Sequence, residues 1–142
     1  MSKSNAFEND LLELIFNGTA IANLADNAAT SPLTELYVSL HTADPGEAGD
    51  QTTNECTYTS YARVAVARSG SGWTVTGNSV SPVANIDFAE ATGGSETATH
   101  VAIGTDSTGT GKILYSGAVT PNIAIVTGVT PRIGTGSTIT EE

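Results

Sequence analysis

A strict alternation of apolar and polar residues marks one stretch of the chain, Leu36–Pro45, as its organising element. The apolar row consists of Leu36, Val38 and Leu40. The polar row consists of Tyr37, Ser39 and His41. A period of two predicts a β-strand with the apolar row buried and the polar row facing outward. The strand is expected to end where Asp44-Pro45-Gly46 forces a turn.

The stretch before residue 18 has helical spacing. Asn5 is expected to cap the helix, with Glu8 as its capping-box partner, and Asn17-Gly18 to end it. The apolar stripe comprises Phe7, Leu11, Leu12, Leu14, Ile15 and Phe16. A helix of about 11 or 12 residues is not stable alone, so it must pack on its own β domain or on a neighbouring subunit. Residues 20–32 are weakly patterned and are interpreted as a linker with a short second helix around Ile21 and Leu24.

From residue 60 onward, short strand patterns alternate with turn signals. The predicted strands are Ser60–Arg68, Trp73–Thr76, Asn78–Pro82, Ala84–Phe88, Thr99–Ile103, Ile113–Thr120, Ile123–Thr127 and one near Pro131–Thr140. The predicted turns are a hairpin at Ser69–Gly72, others at Thr92–Ser95 and Asp106–Gly111, and a break at Pro121-Asn122. This pattern predicts a mainly β fold, an antiparallel β-sandwich or jelly roll with an N-terminal α-helix. Residues 1–35 are assigned to the helix and linker, and residues 36–142 to one compact β domain.

Two further expectations follow from the same pattern. The predicted core consists of Leu36, Val38, Leu40, Val64, Val66, Ile86, Phe88, Val101 and Ile103. The polar stretch Ala43–Thr59 has little periodicity and is expected to form a long exposed loop. Loops of this length commonly carry function, so it is a candidate contact segment.

The charge balance excludes several classes of partner. Five Lys and Arg residues stand against 15 Asp and Glu residues, which gives a formal net charge of −10. Nucleic-acid binding needs a basic surface, so it is not expected, and neither is an anionic membrane surface. No apolar run is long enough to span a bilayer, and the N-terminal residues lack the apolar segment of a signal peptide. A soluble protein with no export signal of its own is expected.

Candidate chemistry is sparse. His41 and His100 lie on separate strands and together resemble half of a metal site, but no third ligand follows at metal spacing, so two ordinary outward-facing residues are favoured. Asp44, Glu47 and Asp50 share one loop, which is typical of oxygen-rich calcium sites, yet the spacing is not that of an EF-hand. A solvated acidic loop is therefore favoured, and no metal or cofactor is expected.

No enzyme motif is found. Neither Gly-x-Ser-x-Gly nor a phosphate-binding loop occurs. Cys56, in a polar loop, is interpreted as an ordinary free thiol. Trp73, Tyr61 and Tyr37 are the residues from which a sugar-stacking platform could be built, with core or cross-strand packing as the favoured alternative.

Several motifs resemble a known family. They are the helix around Asn5-Ala-Phe-Glu-Asn-Asp-Leu-Leu, the Leu36–Gly46 stretch, Tyr61–Val66, Thr99–Gly104 and Leu114–Gly117. The chain resembles small virion proteins of tailed phages, often labelled tail-fibre proteins and similar to head cement, or decoration, proteins. The resemblance covers nearly the whole chain. It implies a non-enzymatic structural protein of the virion.

The favoured hypothesis is a head cement protein on the outer surface of the phage head, made in the host cytoplasm. Its expected partners are the major capsid protein and itself, as a trimer or a dimer. The runner-up is a tail-fibre or minor tail component, and the third hypothesis is a lectin-like module for host glycans. The residues expected to contact partners are Phe7, Leu11, Leu14, Asp44, Glu47 and Asp50.

Overall fold

A computed structural model describes residues 5–21 and 32–141. The fold is mainly β, with antiparallel sheets and one N-terminal helix, as predicted. The described chain forms two compact units. The first contains residues 5–21, 32–35, 67–85 and 134–141, and the second contains residues 36–66 and 86–133. Most of the linker and short second helix predicted at residues 20–32 lies outside the described residues.

A four-stranded sheet forms most of the second unit. Its strands are β1 (Glu35–His41), β2 (Val64–Ala67), β6 (Ser95–Gly104) and β7 (Ile113–Val126), in the order β2-β1-β6-β7. Strands β1 and β6 pair antiparallel, with Val38 opposite Ile103 and Leu40 opposite Val101. The apolar row of β1 is buried, as its alternation predicts. A two-stranded sheet, β5 (Ile86–Asp87) with β8 (Arg132–Ile133), completes this unit.

The polar row of β1 is not exposed, contrary to the prediction. Ser39 and His41 are each 0% exposed. The stretch 43–59 contributes to the burial of His41, because it folds back along β1 instead of projecting into solvent and its Thr53 carbonyl accepts from the His41 ring. The amide of Thr42 donates to the Asn54 carbonyl, and the amide of Cys56 donates to the Leu40 carbonyl, both at 2.8 Å. The expectation of a long exposed loop is therefore wrong for part of this segment, in which Pro45, Gln51, Cys56 and Tyr58 are buried.

Strand β7 runs unbroken across the predicted break. Pairing with β6 shifts register between Ile113 and Tyr115, is regular from Tyr115 to Ala118 and resumes at Ile123. Between them, residues 119–122 face a single residue of β6, Thr99. Pro121 therefore interrupts the ladder without ending the strand, which an edge strand tolerates because its outer N–H groups need no partner. The turn predicted at Asp106–Gly111 does connect β6 to β7.

The first unit combines the helix with a three-stranded sheet. Helix α1 (Asn5–Leu12) continues as a π-helical turn over Glu13–Asn17 and ends at Gly18, whose φ of 69° is the left-handed conformation expected of a helix stop. Its sheet has the order β3-β4-β9, with β3 (Trp73–Thr76), β4 (Ser79–Pro82) and β9 (Ile139–Thr140). The rings of Phe16 and Trp73 meet edge to face at 4.8 Å between centroids. The helix therefore packs on a strand of its own chain.

Several local predictions are corrected. The helix buries Glu8, Leu12 and Phe16, four residues apart, and leaves the rest of the predicted stripe half-buried. The turn at Ser69–Gly72 does not join two paired strands, since β2 and β3 belong to different sheets; the tight turn at Gly77-Asn78 joins β3 to β4. The single strand expected near Pro131–Thr140 is two short strands, β8 and β9. Of the predicted core, Val64, Val66 and Val101 are half-buried.

Candidate functional site

The largest group of polar and titratable side chains lies on the face of β1 that carries Ser39 and His41. His41 is held from both ring nitrogens: Nε2 lies 2.9 Å from Ser39 Oγ, and Nδ1 lies 2.8 Å from the Thr53 carbonyl oxygen. A carbonyl can only accept, so Nδ1 carries the proton and donates to Thr53, while the hydroxyl of Ser39 donates to Nε2. Burial is the main cause that lowers the pKa of His41 below its ordinary value of 6.5.

This Ser–His pair resembles part of a catalytic dyad, but it is closed to substrates. Both residues are completely buried, so a substrate has no route to the serine oxygen. The histidine is neutral and fully bonded, and it fixes the chain at Thr53 to β1. The assignment of His41 as an outward-facing residue is wrong, and its role in this fold is that of an internal cross-link.

A carboxylate next to His41 ties three segments together. Glu55 accepts from Arg63 Nε at 2.7 Å and from a terminal guanidinium nitrogen of Arg63 at 2.8 Å, a bidentate pair. The hydroxyl of Tyr61 donates to the same carboxylate at 2.9 Å and accepts from the Leu40 amide at 3.1 Å. The guanidinium also donates to the carbonyls of Asp106 and Gly109. Since the Arg63 side chain is 3% exposed, the network stands inside the unit and links the β6–β7 turn to the rest of it.

Gln51 fills the space above the end of the same sheet. Its side chain donates to the Tyr37 carbonyl at 3.4 Å and accepts from the Asp106 amide at 3.0 Å. Gly111 and Gly104 leave room for it, because a Cβ on Gly111 would lie 2.0 Å from the Gln51 oxygen and one on Gly104 would lie 2.2 Å from its amide carbon. Both glycines are therefore required by close approach.

His100 and Cys56 complete the reactive side chains of this region. His100 lies directly opposite His41 in the β1–β6 ladder, so the fold does bring the two histidines together. The Nδ1 atom of His100 is 2.9 Å from Thr99 Oγ1. Cys56 is 1% exposed rather than part of an open polar loop, and burial raises the pKa of its thiol to about 12. Such a thiol is a poor nucleophile.

The acidic loop uses its carboxylates to shape turns. Asp44 Oδ1 accepts from the Gly46 amide at 2.9 Å, and Asp50 Oδ1 accepts from the amide and the hydroxyl of Thr52 at 2.8 and 2.6 Å. Bonds from Thr52 lower the pKa of Asp50. Asp44 and Glu47 are exposed and Asp50 is half-buried. Within residues 5–21 and 32–141, no group of three metal-ligating side chains is found.

The apolar helix residues that were predicted to contact a partner are only partly buried. Phe7, Leu11 and Leu14 are half-buried, whereas Leu12 and Phe16 form the buried face. The side chain of Arg68 contacts the C-terminal end of the helix. Its Nε donates to the Ile15 carbonyl at 2.6 Å, and its other nitrogens donate to the carbonyls of Leu14 and Leu33. A cation at this end complements the helix dipole.

Sequence reasoning missed the polar network around Glu55. Arg63 carried a signal, since it is one of only five cations in an acidic chain and lies within an alternating strand. Glu55 and Gln51 carried none, because they lie in a stretch with no periodicity and acquire partners only when that stretch folds back. The sugar-stacking platform considered from the sequence is not formed, because Trp73 is 2% exposed and Tyr61 is fixed through its hydroxyl.

Comparison with known proteins identifies a family but no individual relative. Residues 2–141 match the family model described as podophage GP4 fiber I protein gp80. No curated protein matches the chain. Among the described residues, no helix has the length and apolar character needed to cross a membrane. Because the match covers almost the whole chain, this protein belongs to the podophage GP4 fiber I protein gp80 family, a family of phage virion fibre proteins.

Proposed function

We propose that this chain is a non-enzymatic fibre subunit of a phage tail, which acts by binding other virion proteins. The observation that carries the proposal is the family match over residues 2–141, whose description names a fibre. On this description we rank the tail-fibre hypothesis, the runner-up from the sequence alone, ahead of head cement.

The use of the polar side chains supports a structural role. The reactive groups of the second unit, namely the His41 ring, the Glu55 carboxylate and the Cys56 thiol, are committed to internal bonds or buried. The His41 ring holds the chain at Thr53 against the sheet, and the Glu55 carboxylate fixes Arg63, which holds the β6–β7 turn. A protein that must keep its shape while it is bound in a particle benefits from such cross-links, because buried polar networks that are fully satisfied make a fold more rigid.

Head cement is the second candidate. Its support is the net charge of −10, which suits the outer surface of a head and would be repelled by the packaged DNA within it. In that position the chain would bind the major capsid protein and stabilise the assembled shell, by the logic of any ligand that binds one state only. The glycan-binding hypothesis loses the support of Trp73, which is buried.

Location and copy number in the particle separate the two candidates. Antibody labelling of intact virions, with copies counted from a density map of the particle, is the direct test. A few copies at the tail are expected for the fibre subunit. Hundreds of copies spread over the head would reject the fibre and support cement.

We propose separately which residues of the chain contact other virion proteins. We place them on the half-buried side of the helix, at Phe7, Leu11 and Leu14, and on the acidic loop, at Asp44, Glu47 and Asp50. Removal of residues 1–18 is a poor test, because Phe16 is part of the first unit's core. The doubly substituted Leu11→Gln, Leu14→Gln chain leaves that core intact and should reduce incorporation into particles.

The matched control on the same helix is Asp10→Asn, at an exposed position. For the loop, the variant Asp44→Asn, Glu47→Gln, Asp50→Asn removes the charge but keeps oxygen acceptors for the turns. Reduced incorporation of either test variant supports the corresponding contact. Incorporation equal to that of the unmodified chain would remove that segment from the proposed surface.

A further inference from the structure

Asn17-Gly18 is the one Asn-Gly sequence in the chain, and it lies where the helix ends. In such a sequence the amide nitrogen of the glycine can attack the carbonyl carbon of the asparagine side chain, because glycine has no side chain to obstruct the approach. Water then opens the cyclic imide that forms. This chemistry needs no enzyme, metal or cofactor, so at a given pH its rate depends on how the fold holds the two residues.

The folded chain holds both reacting groups in other bonds. The Gly18 amide, which would be the nucleophile, donates to the Glu13 carbonyl. The side-chain nitrogen of Asn17 donates to Glu13 Oε2 at 2.8 Å, which commits this side chain to Glu13 rather than to the Gly18 nitrogen. Both bonds must break before the imide ring can close. The reaction is therefore expected to proceed from a locally opened helix end.

The surroundings of this helix end favour the reaction once it opens. Asn17 is half-buried, whereas Gly18 and Thr19 are exposed. An open depression lined in part by Glu13 and Thr19 brings solvent to the same turn. A Cβ on Gly18 would lie 3.9 Å from a terminal nitrogen of Arg68, and a nearby cation favours the deprotonated form of a group. Water and a positive charge are thus both close to the attacking nitrogen.

Conversion of the amide would place a carboxylate where the fold accommodates none. The oxygen that replaces the side-chain nitrogen of Asn17 would face Glu13 Oε2, and like charges in contact repel. The second oxygen takes the place of Asn17 Oδ1, which is buried and has no hydrogen-bond partner in the described part of the chain, so a negative charge there is not compensated. A negative charge in the last turn also opposes the helix dipole.

We propose that Asn17 is a deamidation site that is protected while the helix end is folded, and that its conversion then keeps the helix end open. The Gly18 nitrogen loses its proton and bonds to Cγ of Asn17, and the C–N bond of the side-chain amide breaks with release of ammonia. Water then adds to one of the two imide carbonyls, which leaves aspartate or isoaspartate at this position. No oxidant or reductant takes part.

Peptide mass spectrometry of the full chain tests the site and its protection. Folded protein and protein unfolded in guanidinium chloride are incubated side by side at a mildly alkaline pH. The unfolded chain should convert Asn17 to aspartate and isoaspartate several-fold faster than the folded chain. Asn122, which is exposed but followed by isoleucine, is the internal control and should keep its amide. No conversion at Asn17 in the unfolded chain, or equal rates in the two samples, would overturn the proposal.

The variant Asn17→Asp, which carries the carboxylate of the product, tests the consequence. Hydrogen exchange of residues 9–17 should become several-fold faster than in the unmodified chain. Asn122→Asp adds the same charge at an exposed position and should leave this exchange unchanged. Combining Asn17→Asp with Glu13→Gln removes one of the two facing charges and should restore part of the protection. Circular dichroism shows whether each variant keeps its β structure. Unchanged exchange in Asn17→Asp, or no recovery with Glu13→Gln, contradicts the proposed release of the helix end.

Discussion

Two histidines face each other across β1 and β6, but the chain fixes them differently. His41 is completely buried and bonded at both nitrogens, whereas His100 is half-buried beside Thr99. The sequence placed both on strands and could not distinguish them. The difference arises from Thr53, whose carbonyl reaches His41 only because the segment 43–59 folds back over it. No local pattern encodes that path.

Acid should destabilise the protein through His41. Its pKa in the folded chain is lowered, so below about pH 6.5 the unfolded chain binds more protons than the folded one. The contribution of His41 is complete above that pH and is lost as the pH falls towards the folded pKa. Urea denaturation at pH 7.5, 6 and 5 should show a declining free energy of unfolding. His41→Gln should flatten this decline, and His100→Gln should keep it. A His41→Gln chain with an unchanged slope would refute this assignment.

The buried row of β1 gives a second residue-scale prediction. Leu40 is 0% exposed, so Leu40→Ala should lower the free energy of unfolding by about 2–5 kcal/mol. Val83, which is exposed, is the control, and Val83→Ala should change it by less than about 0.5 kcal/mol. Urea denaturation measures both. Similar small losses for the two variants would mean that the β1 face does not form the core.

At the scale of elements, periodicity found most of the strands but not their connections. β1, β3 and β4 occur where alternation predicted them. Two strand predictions were wrong: β7 continues through Pro121, and β8 and β9 are separate strands. Both errors have one cause, because the pairing partners decide where a strand continues.

The carboxylates of the acidic loop, which the sequence offered as possible metal ligands, accept hydrogen bonds that shape turns. That the protein needs no metal stays a prediction, and an unchanged melting temperature in EDTA would support it.

The helix should depend on an arginine from outside it. Arg68 donates to the carbonyls of Leu14 and Ile15, which lie in the last turn, where carbonyl groups generally lack a partner within the helix. Hydrogen bonds to a charged group contribute about 1.5–3 kcal/mol, so Arg68→Ala should open the helix locally. Hydrogen exchange of residues 9–17 should become faster, while exchange in β1 and β6 stays the same.

Arg132→Ala is the matched control, because Arg132 pairs with Asp87 on an exposed surface. It should leave exchange in the helix unchanged. Unaltered helix exchange in Arg68→Ala would show that packing of Phe16 on Trp73 holds the helix without the arginine.

At the scale of the whole molecule, family membership and the charge balance were accessible from sequence, whereas the position in the virion was not. Three of the five cations are committed: Arg63 to Glu55, Arg132 to Asp87 and Arg68 to backbone carbonyls. In residues 5–21 and 32–141, these arginines pair with the carboxylates of Glu55 and Asp87. The net charge of −10 is an excess of negative charge that repels itself, and this sets the conditions under which the chain is stable and can associate.

Salt should therefore stabilise the folded chain. Raising NaCl from about 0.01 to 0.15 M shortens the screening length from about 30 to 8 Å, which weakens the repulsion that the excess of negative charge causes. The melting temperature should rise by about 2–4 °C, equivalent to roughly 1 kcal/mol. The variant Asp44→Asn, Glu47→Gln, Asp50→Asn brings the net charge from −10 to −7 by removing three negative charges, so its increase should be smaller. A melting temperature that falls with salt would mean that ion pairs such as Glu55–Arg63 outweigh the repulsion.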